Sequence, residues 1–378
     1  VTLVPAERPS PSVLRAMSDE TVASALIAGG RMTRAELSVA TGLSKPTVAQ
    51  AIRRLVHKGL VRDTGVRTTG RGGVGTYYAL DDAAGIGLAV AIAPEGIVVE
   101  VVDPAGNQLA RAERDVVRPA KPAAVRRLLA SATRSVVGAL PVGHAAVAVV
   151  SAADPVDRAT GRLVHLPDAP FLVGELDPAA TLSAFVHGPV HVDNDVNWAA
   201  RHEQAARERG GEATDDFAYL YLGEGLGCAM VADGEVRRGH RGLAGEVSHV
   251  LTVGPGNTAI PFTAVFDRLG VRQPGSAAID VDALISALDQ PRRLGVVAKA
   301  VAGVISAIVA LTDPASVVLA GTWGTRPRLI DAVRDIVGEG ARPVRVQPAR
   351  EPAAAALAGV RAATIDQLHD LIAAQSRN

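Results

Sequence analysis

The stretch "TRAELSVATGLSKPTVAQAIRRLVHKGLV", Thr33 to Val61, constrains the fold more than any other part of this 378-residue chain. Thr33-Arg34-Ala35-Glu36 has the form of a capping box, in which the Thr33 hydroxyl accepts from the amide three residues on and Glu36 reaches back. A short helix begins there, with Leu37 and Ala40 expected to face inward. Gly42 ends it, since glycine takes the left-handed cap conformation at little cost. Ser44 then caps a second helix, and Pro46 is tolerated in its first turn, where the amides lack helical partners. Val48, Ile52 and Leu55 recur at i, i+4 and i+7 and form its buried stripe. Two helices joined by a tight glycine turn, the second carrying polar and basic residues off its stripe, are what a helix-turn-helix requires. Ser44, Lys45, Thr47 and Gln50 stand near the start of that helix, where base edges are read. Arg53 and Arg54 follow as phosphate-holding residues.

The next segment, "GLVRDTGVRTTGRGGVGTYYAL", predicts two strands near Leu60–Arg62 and Thr76–Leu80, joined by a Gly/Thr/Arg loop. Such a loop is a wing, and Arg67 and Arg71 on it are placed for a minor groove or for phosphate. An earlier helix, roughly Ser12–Ala28, supplies the packing partner through Leu14, Val22, Leu26 and Ile27. Charge agrees with this reading. Residues 1–80 hold 11 of the 39 Lys/Arg but only 5 of the 39 Asp/Glu, leaving 28 basic and 34 acidic residues behind. A basic head on an acidic body suits a module that binds a polyanion, here double-stranded DNA. The expected organisation is a disordered lead over residues 1–11, a winged helix-turn-helix over 12–80 and a short covalent joint from Tyr78 to Gly85.

The single cysteine, Cys228, excludes an intramolecular disulfide and fits a reducing compartment. No apolar run of ~18 residues escapes a charge or a helix breaker, so no membrane span is expected. The start of the chain lacks the basic-then-apolar order of a signal peptide, and the expected location is cytoplasmic.

From about Gly85 the texture changes to apolar strands alternating with Ala-rich helical stretches, which implies an α/β body. "GIGLAVAIAPEGIVVEVVDPAGNQLA" predicts a strand pair turning at Ala93–Gly96, then a turn at Asp103-Pro-Ala-Gly. A helix over "KPAAVRRLLASATRSVVGAL" and a buried strand at "HAAVAVVSA" follow. A second series runs through "VHVDND", "FAYLYLGEGLGCAMVADGEV", the helix "VVAKAVAGVISAIVALTD", the strand "SVVLAG" and a last helix within Pro352–Ile372. Two similar series imply two lobes with a cleft between them.

Three segments resemble the ROK family of sugar kinases and the repressors related to them: "VDNDVNWAARHE" (Val192–Glu203), "LGEGLGCAMVADGEVRRGHRGLAGEVSH" (Leu222–His249) and "LTDPASVVLAG" (Leu311–Gly321). "GLSKPTVAQAIRRLVHKGLV" is similar to the head of the repressor branch. The resemblance implies a two-lobed, actin-like (RNase H-like) ATPase fold over residues 85–378. The first lobe would run to about 190 and the second from about 191 to 350, with the C-terminal helix returning.

Family kinases carry an Asp-x-Gly-Gly-Thr phosphate loop where this chain has Ala91-Ile92-Ala93-Pro94-Glu95. Pro94 supplies no amide for a phosphate cradle. The second loop, Gly-Thr-Gly in kinases, is Gly223-Glu224-Gly225. At ~4 Å and an effective dielectric of ~20, a carboxylate facing a phosphate costs about 4 kcal/mol per unit charge. No catalytic residue and no cofactor are therefore expected. By the same resemblance Asn194 and Asp195 bond sugar hydroxyls, and Glu246 and His249 complete the set. A carboxylate–amide–imidazole group suits a polyol; the alternative is that the four cap helices and cross-link the lobes. The family's Gly-x-Pro-Gly-Pro-Val-Asp turn has drifted at Val150–Asp157, and its sugar-lining Pro-Asn-Leu is here "HLPDAPF". Its three-cysteine zinc loop is replaced by "VGPGNTAIPF", with Phe262 near an expected Glu. A structural zinc needs about four ligands, so no metal is expected.

The expected function is a DNA-binding transcriptional regulator, a repressor, whose non-catalytic body senses a sugar or sugar-phosphate effector. It should act as a homo-oligomer, dimer or tetramer, on a pseudo-palindromic operator. The alternatives are an active sugar kinase of the same family, and a regulator without ligand whose body only oligomerises.

Overall fold

The computed structural model describes residues 10–68, 75–118, 120–140, 143–166, 176–212 and 215–377. The head comprises α1 (Pro11–Gly29), β1 (Met32–Thr33), α2 (Arg34–Thr41), α3 (Lys45–His57), β2 (Val61–Arg67) and β3 (Thr76–Leu80), with strand order β1-β3-β2. Both bonds of the capping box form: Thr33 Oγ1 accepts from the Glu36 amide at 3.2 Å, and the Thr33 amide donates to Glu36 Oε2 at 2.7 Å. Gly42 closes α2 at φ 70°, and Ser44 Oγ accepts from the Thr47 amide at the start of α3. Val48, Ala51, Ile52 and Leu55 pack on Val22, Ala23, Leu26 and Leu37. Two expectations fail here. Ala40 is exposed, because α2 is little more than two turns long and only Leu37 reaches the core. Leu14 is 53% exposed beside Val13 and Met17, because only the later turns of α1 meet the other head helices. The wing's first strand also runs five residues beyond Arg62, to Arg67.

The first lobe contains β4 (Gly87–Ile92), β5 (Gly96–Val102), β6 (Gln108–Asp115), α4 (Pro122–Val137), β7 (Val147–Ala152), α5 (Pro178–Leu182) and β8 (Val190–Asn194), followed by α6 (Asp195–Arg209). The second contains β9 (Phe217–Leu222), β10 (Leu226–Ala232), β11 (Glu235–Val236), a 3-10 turn at Val247–His249, β12 (Leu251–Val253), β13 (Ala259–Pro261), α7 (Phe262–Arg268), α8 (Val281–Leu288), α9 (Pro291–Thr312), β14 (Ser316–Ala320), α10 (Pro327–Gly338) and β15 (Arg345–Pro348). The two five-stranded sheets have one topology. Their orders, β6-β5-β4-β7-β8 and β11-β10-β9-β14-β15, each place an antiparallel three-strand meander beside two parallel strands. The central strands β4 and β7 are apolar on both faces because helices cover both. This is the α/β fold with a winged head and two mixed sheets that the sequence led us to expect.

Helix α9 is long and apolar enough, by length and composition alone, to cross a membrane. Lys299 interrupts its apolar run. Here half of its apolar stretch is buried, and Val297, Val301, Val304 and Ile305 belong to the core of the second lobe.

The C-terminal helix, α11 (Ala355–Arg377), ties the molecule together. At 1.5 Å per residue it is about 34 Å long. It crosses α6 so closely that a Cβ on Gly359 would lie 2.2 Å from the Trp198 carbonyl oxygen. Arg361 donates to the fully buried Glu100 of β5 at 2.8 Å, and Arg111 of β6 pairs with the same carboxylate. The far end of α11 enters the head. Ile372 is 1% exposed within the head's core, Lys58 Nζ donates to the Ser376 carbonyl at 2.8 Å, and Arg377 lies 3.5 Å from Glu20. The Tyr78–Gly85 segment is thus joined by a second, non-covalent connection between head and body.

Candidate nucleic-acid face and effector cleft

In the head, the side of α3 opposite its stripe is open. Ser44, Lys45, Gln50 and Arg53 are exposed and Thr47 is half-buried. Ser44 caps the helix and its hydroxyl also meets Thr47 Oγ1 at 2.8 Å. Arg54 is a correction. Its guanidinium donates to both oxygens of Asp19, at 3.0 and 2.6 Å, and to Ser18 Oγ at 3.3 Å. Asp19 is 2% exposed, and Lys58 stands 3.7 Å from it. Arg54 therefore clamps α3 to α1 rather than facing outward. Arg67 pairs with Asp63 along β2 at 2.9 Å and remains about half exposed. That pairing and the Gly65 amide hold the Asp63 carboxyl below its ordinary range, the amide contributing most. Arg71 lies outside the described residues.

In the body, β8 runs directly into α6, and this junction places Asn194 and Asp195 at the mouth between the lobes. Asn194 is largely consumed by structure. Its Oδ1 accepts from the Val196 amide at 3.0 Å, capping α6, and its Nδ2 donates to the carbonyls of Ala152 and Asp154 at 3.3 Å. Asp195 and Glu246 face one another across a small recess of about 50 Å³, lined also by Ala153, Tyr221 and Cys228. Burial, first of all, pushes both carboxyls up to about 7; Glu246, Asp154 and Glu95 add to the effect on Asp195, and Asp154 adds to that on Glu246. Both can therefore hold a proton near neutral pH, so the pair offers donors as well as acceptors to hydroxyl groups. Burial also pushes the Cys228 thiol up to about 12, so it is not a nucleophile.

His249 does not join them. The 3-10 turn anchors Val247 in the core and leaves His249 exposed, lining neither this recess nor the larger cavity beside it. Phe262 is fully buried against Phe266, ring centroids 5.4 Å apart, and does not line the cleft either. Of "HLPDAPF", residues 167–171 lie outside the described residues.

The recess opens, through the shared residues Ala153, Asp195, Val196, Tyr221 and Gly225, onto a cavity of about 670 Å³. Its walls include the Ala93–Gly96 turn with Pro94 and Glu95, the Glu224 turn between β9 and β10, and the start of α11 at Ala355. Five carboxylates line it: Glu95, Asp195, Glu224, Asp280 and Asp282. Among the described residues Arg111 is the only basic one in the lining, and it is already paired with Glu100 and Glu113. Arg118 bridges the lobes at this mouth, donating to Glu224 Oε2 at 2.7 Å and to the Pro94 carbonyl at 3.1 Å. The sequence reading found Pro94 and Glu224 but not Arg118, whose partner is 106 residues away.

Comparison with known proteins agrees with this anatomy. Residues 88–262 match the ROK family and residues 21–72 match the MarR family. A glucokinase of Streptomyces coelicolor is 35% identical over 173 residues, 46% of this chain and 51% of that enzyme, so the chain spans about half the length of this curated relative. A xylose repressor of Caldicellulosiruptor bescii is 41% identical over 61 residues, 16% of this chain and 15% of that protein. Among solved structures, a ROK family transcriptional regulator described as a homolog of the E. coli MLC protein superposes with a TM-score of 0.66 at 16% identity. It covers 96% of this chain and 99% of its own, and the likeness is one of fold.

Proposed function

Because the chain sets a ROK-family body behind a MarR-type winged helix-turn-helix head, we propose that it is a cytoplasmic DNA-binding repressor whose body senses a sugar or sugar derivative without phosphorylating it. The observation that carries this reading is α11, which begins on the wall of the interlobe cavity at Ala355 and ends in the head's core at Ile372. A change in how the lobes close on a ligand would move the body's end of this helix. The head's end is fixed by Glu20 of α1 and by Lys58, just after α3. Such a ligand acts only through its differential affinity for the two arrangements; a ~100-fold preference is worth about 2.7 kcal/mol.

Asp195 and Glu246 are the groups we assign to the effector, with Asn194 holding the β8–α6 junction in place. The recess holds no more than a few waters, so a polyol must extend into the larger cavity or part the lobes to enter. Exposed Ser44, Lys45, Gln50 and Arg53 with half-buried Thr47 are assigned to DNA, and Arg67 to the wing's contact.

The glucokinase relative favours a second reading, an active sugar kinase. Against it stand the acidic lining, where Glu95, Asp280 and Asp282 oppose a nucleotide's phosphates, and Arg118, which spends its charge on Glu224 at the turn where those phosphates would be received. Operator binding should be followed by fluorescence anisotropy across a panel of sugars, alongside ATP consumption. Asp195→Ala should bind the operator as the parent does and lose the sugar response. ATP turnover by the full chain that rises with added sugar above the sugar-free control would establish the kinase reading, and a sugar response surviving in both Asp195→Ala and Glu246→Ala would remove the cleft as sensor.

A further inference from the structure

A second polar pocket, of about 560 Å³, lies away from the cleft, beside the edge strand β8. Its walls come from four places: the loop carrying Arg158 and Thr160, His191 of β8, Trp198 and Arg201 of α6, and Asp366 and Gln367 of α11. Arg238, from the second lobe, completes it. Where the cleft is lined by carboxylates, this pocket is lined by three arginines and one carboxylate, Asp366.

The arginines differ in what they already hold. Arg238 stands 2.7 Å from Asp193, though misaligned for a hydrogen bond. Arg158 gives one N–H to the Gly239 carbonyl at 3.3 Å. Arg201 lies over the indole of Trp198, 5.5 Å from the ring centroid, and its buried Nε has no hydrogen-bond partner. The indole itself is pinned, since Trp198 Nε1 donates to the Val150 carbonyl at 3.1 Å. Burial pushes the Asp366 carboxyl up, and the charges of His369 and Arg201 oppose that rise. A guanidinium fixed by stacking, with donors unspent and two more arginines converging on the same space, is a preorganised receptor for a planar or tetrahedral oxyanion.

We propose that this pocket binds a small phosphate-bearing metabolite, with Arg201 as the principal ligand-holding residue and Arg158 and Arg238 beside it. Its volume exceeds that of a bare oxyanion and leaves room for an organic remainder the size of a small metabolite. The site is separate from the sugar cleft, and because Asp366 and Gln367 belong to α11, its occupant would touch the same helix that reaches the head.

The chain has two tryptophans, Trp198 in this pocket and Trp323 in the second-lobe core. In Trp323→Phe, emission reports on Trp198 alone. Inorganic phosphate and glucose 6-phosphate at millimolar concentration should each change it saturably, while glucose, and chloride at matched ionic strength, should not. Arg201→Gln should weaken both by about tenfold or more, as expected for loss of a charge-assisted bond. Tighter binding of the ester than of free phosphate supports the metabolite, and binding of the ester no tighter than that of free phosphate overturns it and leaves an anion site alone. Calorimetry on the parent chain and on Arg201→Gln repeats the measurement should Trp323→Phe fold poorly. No saturable signal by either method, or equal affinity in Arg201→Gln, overturns the proposal. Asp195→Ala separates the two sites: it should leave phosphate binding intact even if the sugar reading of the cleft is wrong.

Discussion

Two neighbouring arginines show how much a single residue's surroundings decide. Arg53 and Arg54 both lie off the apolar stripe of α3, yet Arg53 is exposed whereas Arg54 is spent on buried Asp19. Arg53→Ala should weaken operator binding across all sequences and lower the slope of log affinity against log salt by about 1. Arg54→Ala should instead destabilise the head by up to about 3 kcal/mol, because it strips a buried carboxylate of its main partner while Lys58 remains near. Denaturant melts and salt titrations of the two variants separate these effects. Asp195 and Glu246 give a second prediction at this scale. Their carboxyls sit at about 7 in the fold against ordinary values of 3.8 and 4.5. Between pH ~4 and ~7 these two groups bind more protons in the folded protein than in the unfolded chain, and their contribution to stability falls as pH rises through that window. Asp195→Asn and Glu246→Gln should raise the melting temperature by a few degrees at pH 8 and change it little at pH 4. An unchanged pH 8 melt would show that both groups titrate normally.

Among the elements, α11 carries the most consequence. Ile372→Ala removes a buried side chain from the head's core and should cost about 2–4 kcal/mol of head stability. The same change should uncouple effector from operator, leaving sugar binding measurable by calorimetry while the anisotropy response to sugar disappears. If that response stays full, communication runs through the Tyr78–Gly85 joint alone. How visible each element was in the sequence follows from how far apart its determinants lie. The capping box, the Gly42 cap and the α3 stripe are each written within about two helical turns, so they were legible. The repeated strand order was legible as two similar series of apolar strands and helices. The docking of α11 was not. Leu357, Val360, Thr364, Leu368 and Ile372 have the spacing of any amphipathic helix, and nothing local says that the last of them belongs to another core. Arg54's partner lies 35 residues away and Arg118's 106, so chemistry alone could not tell them from solvent-facing charges. Asn194 is the reverse case, a polar residue whose position before a helix already permitted a capping role.

For the whole molecule, one winged head covers only a few base pairs, so useful specificity calls for two heads on a two-fold axis. Sedimentation at micromolar concentration should give at least a dimer, and footprinting should give two half-sites separated by one or more helical turns. A monomer occupying a single half-site would contradict this. The reach of Ile372 into the head has a further consequence in time. A ribosome makes the head about 290 residues before it makes Ile372. At roughly 5–20 residues per second the head waits roughly 15–60 s for the side chain that finishes its core. A nascent chain, or a product cut short of Ile372, would carry a full reading helix on an unfinished support.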